Sequence, residues 1–143
     1  NHPGTLTAEW HASIVGQGLN PEAYAELVGV VAQANAVDRF ADALNLERVS
    51  LPEPSHLEPA KSPDPSVQVS SHWVPTAKIK GPNVVKALSA VPFENESMQL
   101  LSSVQYVGLG DLLSDLVSDQ NSLSRMQVEV IAARTSKLNE CFY

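Results

Sequence analysis

An all-α fold is predicted by three features of the 143-residue chain. Apolar residues recur at three- and four-residue spacing, helix-start signals precede these runs, and the prolines gather in one stretch. Seven of the ten prolines lie from Pro52 to Pro82. The chain therefore divides into a helical block at 1–47, a Pro-rich connector at 48–81 and a second helical block at 82–143. Period-two alternation is weak everywhere, and Ser66–Val74 is the one strand candidate.

Thr7 is placed as an N-cap for a short helix carrying Trp10 and Ile14 on one face. Gly18 followed by Leu19 reads as a helix stop with its apolar partner. Asn20-Pro21-Glu22 then combines a capping side chain, proline at the first helical position and an acid in the first turn. In the helix that follows, Tyr24, Leu27, Val31, Ala34, Val37, Ala41 and Leu44 form a stripe expected to face a core.

From Arg48 to Gly81 the sequence is rich in Ser, Pro, Glu, His and Lys, which predicts extended backbone over a surface with Trp73 and Val74 as anchors. Pro82 opens a short helix with Val84, Val85 and Leu88, ending before Pro92. Glu94–Val107 reads as a helix with Met98, Leu101 and Val104 inward, broken near Gly108 and Gly110 before Asp111–Val117 resumes. Ser124 caps a final helix with Val128, Ile131, Thr135 and Leu138 in a stripe.

Sixteen acids against nine bases give a net charge of −7, which argues against a phosphate-backbone partner. Apolar runs fall far short of a membrane span, and Asn1-His2-Pro3-Gly4 does not open like a signal peptide. The expectation is an acidic cytoplasmic domain. A single cysteine allows no internal disulfide.

Gly108-Leu109-Gly110 has neither a preceding strand nor a third glycine, so it reads as a helix break rather than a nucleotide loop. Asn95-Glu96-Ser97 matches a glycosylation acceptor without a secretory context. His2, His11, His56 and His72 share no metal-ligand spacing and are expected at the surface. At the C-terminal end, Cys141 follows an amphipathic segment and Glu129 precedes it by twelve positions. A thiol gains chemistry when a base can move its proton, and a carboxylate can be that base. The bland alternatives are a small buried hydrophobe for Cys141 and, for Glu129, a solvated helix residue paired with Arg125.

Ser124-Arg125-Met126-Gln127-Val128-Glu129-Val130-Ile131-Ala132-Ala133-Arg134, then Leu138-Asn139-Glu140-Cys141-Phe142-Tyr143, resembles the alkylhydroperoxidase D and carboxymuconolactone decarboxylase family. That family's motif is Glu, eleven residues, Cys-x-x-Cys, three residues, His. Glu129 and Cys141 match its first two positions, while the second cysteine and the histidine would fall after Tyr143. Residues 82–143 are similar to the front half of such a repeat. Residues 5–46, with Gln17-Gly18-Leu19, Glu26-Leu27-Val28-Gly29 and Asp38-Arg39, are similar to the back half of another. A sequence ending at Cys141-Phe142-Tyr143 without a helix stop favours a window of a longer two-repeat protein over a permuted single repeat.

The resemblance implies a helical bundle of the alkylhydroperoxidase D-like type and a thiol-dependent peroxidase. In that chemistry one cysteine attacks the hydroperoxide and becomes a sulfenic acid, the other resolves it as a disulfide, and an external dithiol reduces the disulfide. Cys141 takes the resolving position, near the start of a following helix, and Glu129 joins the proton relay. No metal, haem or flavin is implied. Substrate and partners would be a hydroperoxide, a dithiol reductant and further copies of the chain, without nucleic acid or membrane. Self-association is also expected from the apolar faces around Tyr24, Leu27 and Val31 and around Val128, Ile131 and Leu138. The alternatives are a lactone decarboxylase on the same fold, with Arg39, Arg125 and Arg134 available for a carboxylated ring, and a non-catalytic helical interaction module.

Overall fold

A computed structural model describes residues 3–56, 64–69, 72–106 and 123–141. A 3₁₀ turn at Pro3–Thr5 leads into α1 (Ala8–Val15) and α2 (Pro21–Ala43). They are followed by α3 (Asn83–Lys86), α4 (Pro92–Gln105) and α5 (Arg125–Leu138). Among the described residues the only β pairing is one antiparallel bridge, Gln68 with Thr76, so the chain is mostly helical. None of these helices is long and apolar enough to cross a membrane. The expected segment Asp111–Val117 and the glycines at 108 and 110 lie outside the described residues.

The helix starts follow from local chemistry. Thr7 Oγ1 accepts from the Trp10 amide at 3.2 Å, and Asn20 Oδ1 accepts from the Ala23 amide at 2.7 Å. Ser124 and Gln127 close a reciprocal capping box at the start of α5: Gln127 Oε1 accepts from the Ser124 amide at 2.8 Å, and Ser124 Oγ accepts from the Gln127 amide at 3.3 Å.

Two helix ends are alike in an unexpected way. Asn45 after α2 has φ 54°, and Glu140 after α5 has φ 53°. In each case the next amide reaches back to a carbonyl of the last turn: Leu46 to Ala41 and Cys141 to Ser136, both at 2.9 Å. These are Schellman stops built on non-glycine residues. The final helix thus has a defined end, contrary to the sequence expectation.

The stripe expected to bury α2 is covered only in part: Ala41 is buried and Tyr24 and Val37 are half-buried. Leu27 and Val31 remain 53% and 58% exposed, and the buried residues are Ala25, Gly29 and Ala41. Ala25, Gly29 and Gln33 are four apart and form a narrow seam on the opposite side of the helix. Along this seam α2 packs on α4. Glu94 of α4 is buried against Gly29, and its Oε2 accepts from Gln33 Nε2 at 2.9 Å. Burial raises the Glu94 carboxyl above its ordinary range; the Gln33 bond pulls it down, and the nearby Glu26 charge adds to the rise. Periodicity located the apolar face of α2, of which only part is covered, and missed the seam opposite, where small residues admit a neighbouring backbone more closely than large ones.

The small core lies elsewhere, where the later part of the connector meets α3. Ala77, Val85, Leu88 and Ala90 are buried there. Ser89 Oγ accepts from the Ala77 amide at 2.9 Å and donates to the Lys86 carbonyl at 2.7 Å. The Asp64 amide donates to the Ala90 carbonyl at 3.2 Å. Extended, unpacked backbone therefore describes 49–56 but not 75–77, which is buried. At the start of the connector Arg48 turns back onto α2. Its Nε and Nη2 donate to the two Asp42 oxygens at 2.8 and 2.7 Å, and Nη1 lies 3.5 Å from Asp38.

His11 also departs from expectation, being buried rather than at the surface. Its ring meets Tyr24 edge to face at 5.0 Å between centroids and lies 6.2 Å from Trp73. Trp73 does anchor the connector, through a ring on α1. Among the described residues His11 Nε2 is the one buried side-chain nitrogen or oxygen without a hydrogen-bond partner. His2 falls outside the described residues, His56 is exposed and His72 is partly exposed.

Candidate functional site

Glu129 sits one turn into α5 and joins a three-residue constellation. Its carboxylate is ion-paired with Arg125, one helical turn earlier. It also accepts from the Tyr106 hydroxyl at 3.1 and 3.2 Å, a bond that ties α5 to the residue capping α4. Tyr106 in turn is held above its ordinary value of 10.0, first by burial and then by the carboxylate it donates to; Arg125 opposes the rise. The phenol is therefore fixed as a protonated donor at neutral pH.

Beside this constellation α4 and α5 diverge around a largely apolar groove of about 680 Å³. Val104, Tyr106, Leu123, Val128 and Ile131 supply its walls, and Thr135 a hydroxyl. The hydroxyl is already committed, since Thr135 Oγ1 donates to the Ile131 carbonyl at 2.9 Å. Val104, expected to point into a core, is 74% exposed and lines this open groove. The α5 stripe is likewise divided: Val128, Ile131 and Thr135 line the groove, whereas Leu138 does not.

Cys141 is exposed. It lies after the C-terminus of α5, not at the start of a further described helix, because the Asn139–Glu140 turn stops α5. The helical rise alone puts Glu129 and Leu138 about 13 Å apart along the axis. Proton transfer needs heavy atoms within roughly 2.6–3.2 Å or one bridging water. The structure therefore does not bring the two sequence-predicted residues together. Tyr106 is the site residue that sequence reasoning missed; its spacing of 23 from Glu129 fits no local rule.

Arg39, Arg125 and Arg134 do not converge either. Arg39 is 3.9 Å from Asp42 on α2, Arg125 is paired with Glu129, and none of the three lines the groove. Among the described residues no group of three His, Cys, Asp or Glu side chains is placed to hold a metal ion.

No family model matches this chain, and no curated protein or solved structure matches it. The family resemblance therefore rests on the sequence alone, on the Glu129–Cys141 spacing and on the stretches 5–46 and 82–143.

Proposed function

We infer that the chain carries part of a thiol-dependent, peroxidase-type oxidoreductase, with Cys141 as resolving thiol and Glu129 as proton-handling carboxylate. The supporting observation is the Tyr106–Glu129 hydrogen bond beside an apolar groove, on the helix that leads to an exposed cysteine. In this reading a second cysteine, absent from these 143 residues, takes an oxygen from a hydroperoxide ROOH and becomes a sulfenic acid, releasing ROH. The Cys141 thiolate attacks that sulfur, a disulfide forms and water leaves. An external dithiol then returns both sulfurs to thiols and is itself oxidised. In this reading Glu129 joins a proton relay with the motif histidine, which is absent from these 143 residues.

A second reading, the helical interaction module, draws on a different observation. Glu129 is already engaged by Arg125 and Tyr106, and it is remote from Cys141. Here the Arg125–Glu129–Tyr106 set simply docks α5 on α4.

One experiment separates the two. The chain is extended by a cysteine three positions after Cys141 and by the motif histidine, and peroxide-dependent dithiol oxidation is followed. The peroxidase reading expects turnover in the extended form, none in the 143-residue chain, and a loss of roughly 10²–10⁴-fold in Glu129→Gln. Turnover that is absent, or indifferent to Glu129→Gln, overturns it.

A further inference from the structure

We propose that a proton on Glu94 latches α4 onto α2 at the Gly29–Gln33 seam, and that loss of this proton lets the seam open. The proposal does not rest on the thiol chemistry.

The seam hangs on one side chain. Among the 14 residues of α4, Glu94 is the one that is buried. Phe93, Leu100 and Val104 are exposed, while Met98 and Leu101 are half-buried. On α2 the buried residues facing it are small, Ala25 and Gly29. Apolar packing able to hold the two helices together whatever the charge between them is therefore sparse. The state of a single carboxyl group weighs heavily on whether they stay closed.

The seam suits a neutral acid better than a carboxylate. Among the described residues Glu94 has no ion pair and one hydrogen bond, from Gln33. Of the charges on the helices around it, Glu26 on α2 acts on it with like sign. Lys86 on α3 forms no ion pair with it, and Glu96 on α4 is exposed. A position in the first turn of a helix favours the charged form. Burial outweighs this and holds the carboxyl above its ordinary 4.5. Such a carboxyl binds its proton more tightly with the seam shut, so ionisation favours the open seam. The latch is fully engaged below pH 4.5 and releases as pH rises through the raised value.

The rest of the fold keeps the release local. α4 also packs on α3, and Tyr106 at its far end is bonded to Glu129 of α5. Opening thus parts α4 from α2 and leaves it tied elsewhere. The helix that is released carries the groove wall at Val104 and Tyr106.

Hydrogen exchange read by mass spectrometry, corrected for the intrinsic pH dependence of amide exchange, tests this on the full chain. In the parent, α4 amides should lose protection about threefold or more between pH 4.5 and pH 8, while α5 amides keep theirs. Glu94→Gln keeps an acceptor for Gln33 and cannot ionise, so its α4 protection should stay level. Glu26→Gln removes the like charge and should move the parent's fall to lower pH, which carries the test even if Glu94→Gln does not fold. Level α4 protection in the parent overturns the proposal. So does a fall of the same size in Glu94→Gln, or one that Glu26→Gln leaves in place. A fall shared equally by every helix marks global unfolding and overturns it as well.

Discussion

Glu94 occupies the space that glycine leaves open at position 29. A Cβ on residue 29 would stand 2.7 Å from Glu94 Oε2 and 3.1 Å from both Cβ and Cγ of the same side chain. Oε2 cannot swing away freely, since it accepts from Gln33. At this point the packing of α2 on α4 is therefore a glycine against a buried acid.

Gly29→Ala should destabilise the chain by about 1 kcal/mol. Overpacking costs about 1–3 kcal/mol, offset by about 1 kcal/mol of helix propensity. In a Glu94→Ala background the clash is gone and the same substitution should stabilise. Urea unfolding of the double-mutant cycle measures this coupling. Equal effects in both backgrounds would show that Glu94 does not fill the seam.

Glu94 also carries a pH signature. Its folded-state carboxyl is raised above the unfolded value of 4.5, so its favourable contribution is complete below pH 4.5 and is lost as pH rises through the folded value. Glu94→Gln, which keeps an acceptor for Gln33, should therefore be more stable than the parent at pH 7. The advantage should shrink towards pH 4. Denaturant midpoints at the two pH values check the sign, and a constant difference would refute it.

The Tyr106 phenol should titrate above 10.0, since burial and the Glu129 carboxylate both favour its neutral form. Glu129→Gln removes the charge and should move that titration downward, while Tyr106→Phe should delete the late step altogether. Ultraviolet difference titration resolves these changes. A late step that persists in Tyr106→Phe would assign it to another tyrosine.

Glu140 holds a left-handed conformation at the end of α5. Glycine adopts it without a Cβ penalty, so Glu140→Gly should stabilise the chain by about 0.5–1 kcal/mol after the unfolded-state entropy is counted. Thermal unfolding followed by circular dichroism reads the shift. Loss of stability would mean that α5 does not stop there.

Limited proteolysis should open the chain first within the early connector. Residues 49–56 are exposed and form no regular structure, whereas 75–77 are buried. A glutamate-specific protease should therefore cut at Glu53 before it cuts any site within α2 or α4. First cleavage inside α2 would contradict the helix packing.

What could be read from the chain beforehand was the part that local chemistry governs. Thr7, Asn20-Pro21 and Ser124 cap helices because each side chain meets an amide three residues ahead. The covered side of α2 was not legible, since Ala25 and Gly29 add little to an apolar pattern and their role depends on a glutamate more than sixty positions away. His11 is buried by Trp73, another pairing made only through space. At the site, spacing alone singled out Glu129 and Cys141, but motif spacing cannot tell that a helix runs straight between them. Tyr106 carried no mark, because its partner arrives from a separate helix.

The two anchors of the early connector have a practical meaning. Arg48 is fastened to Asp42 and Asp38, and the amide of Asp64 is fastened to Ala90, so the exposed stretch 49–56 is a leash held between two fixed posts. The cost of closing such a leash grows only with the logarithm of its length, about 0.6 kcal/mol for each doubling. A reporter peptide or a small domain inserted after Leu51 would thus lengthen the leash without moving either post.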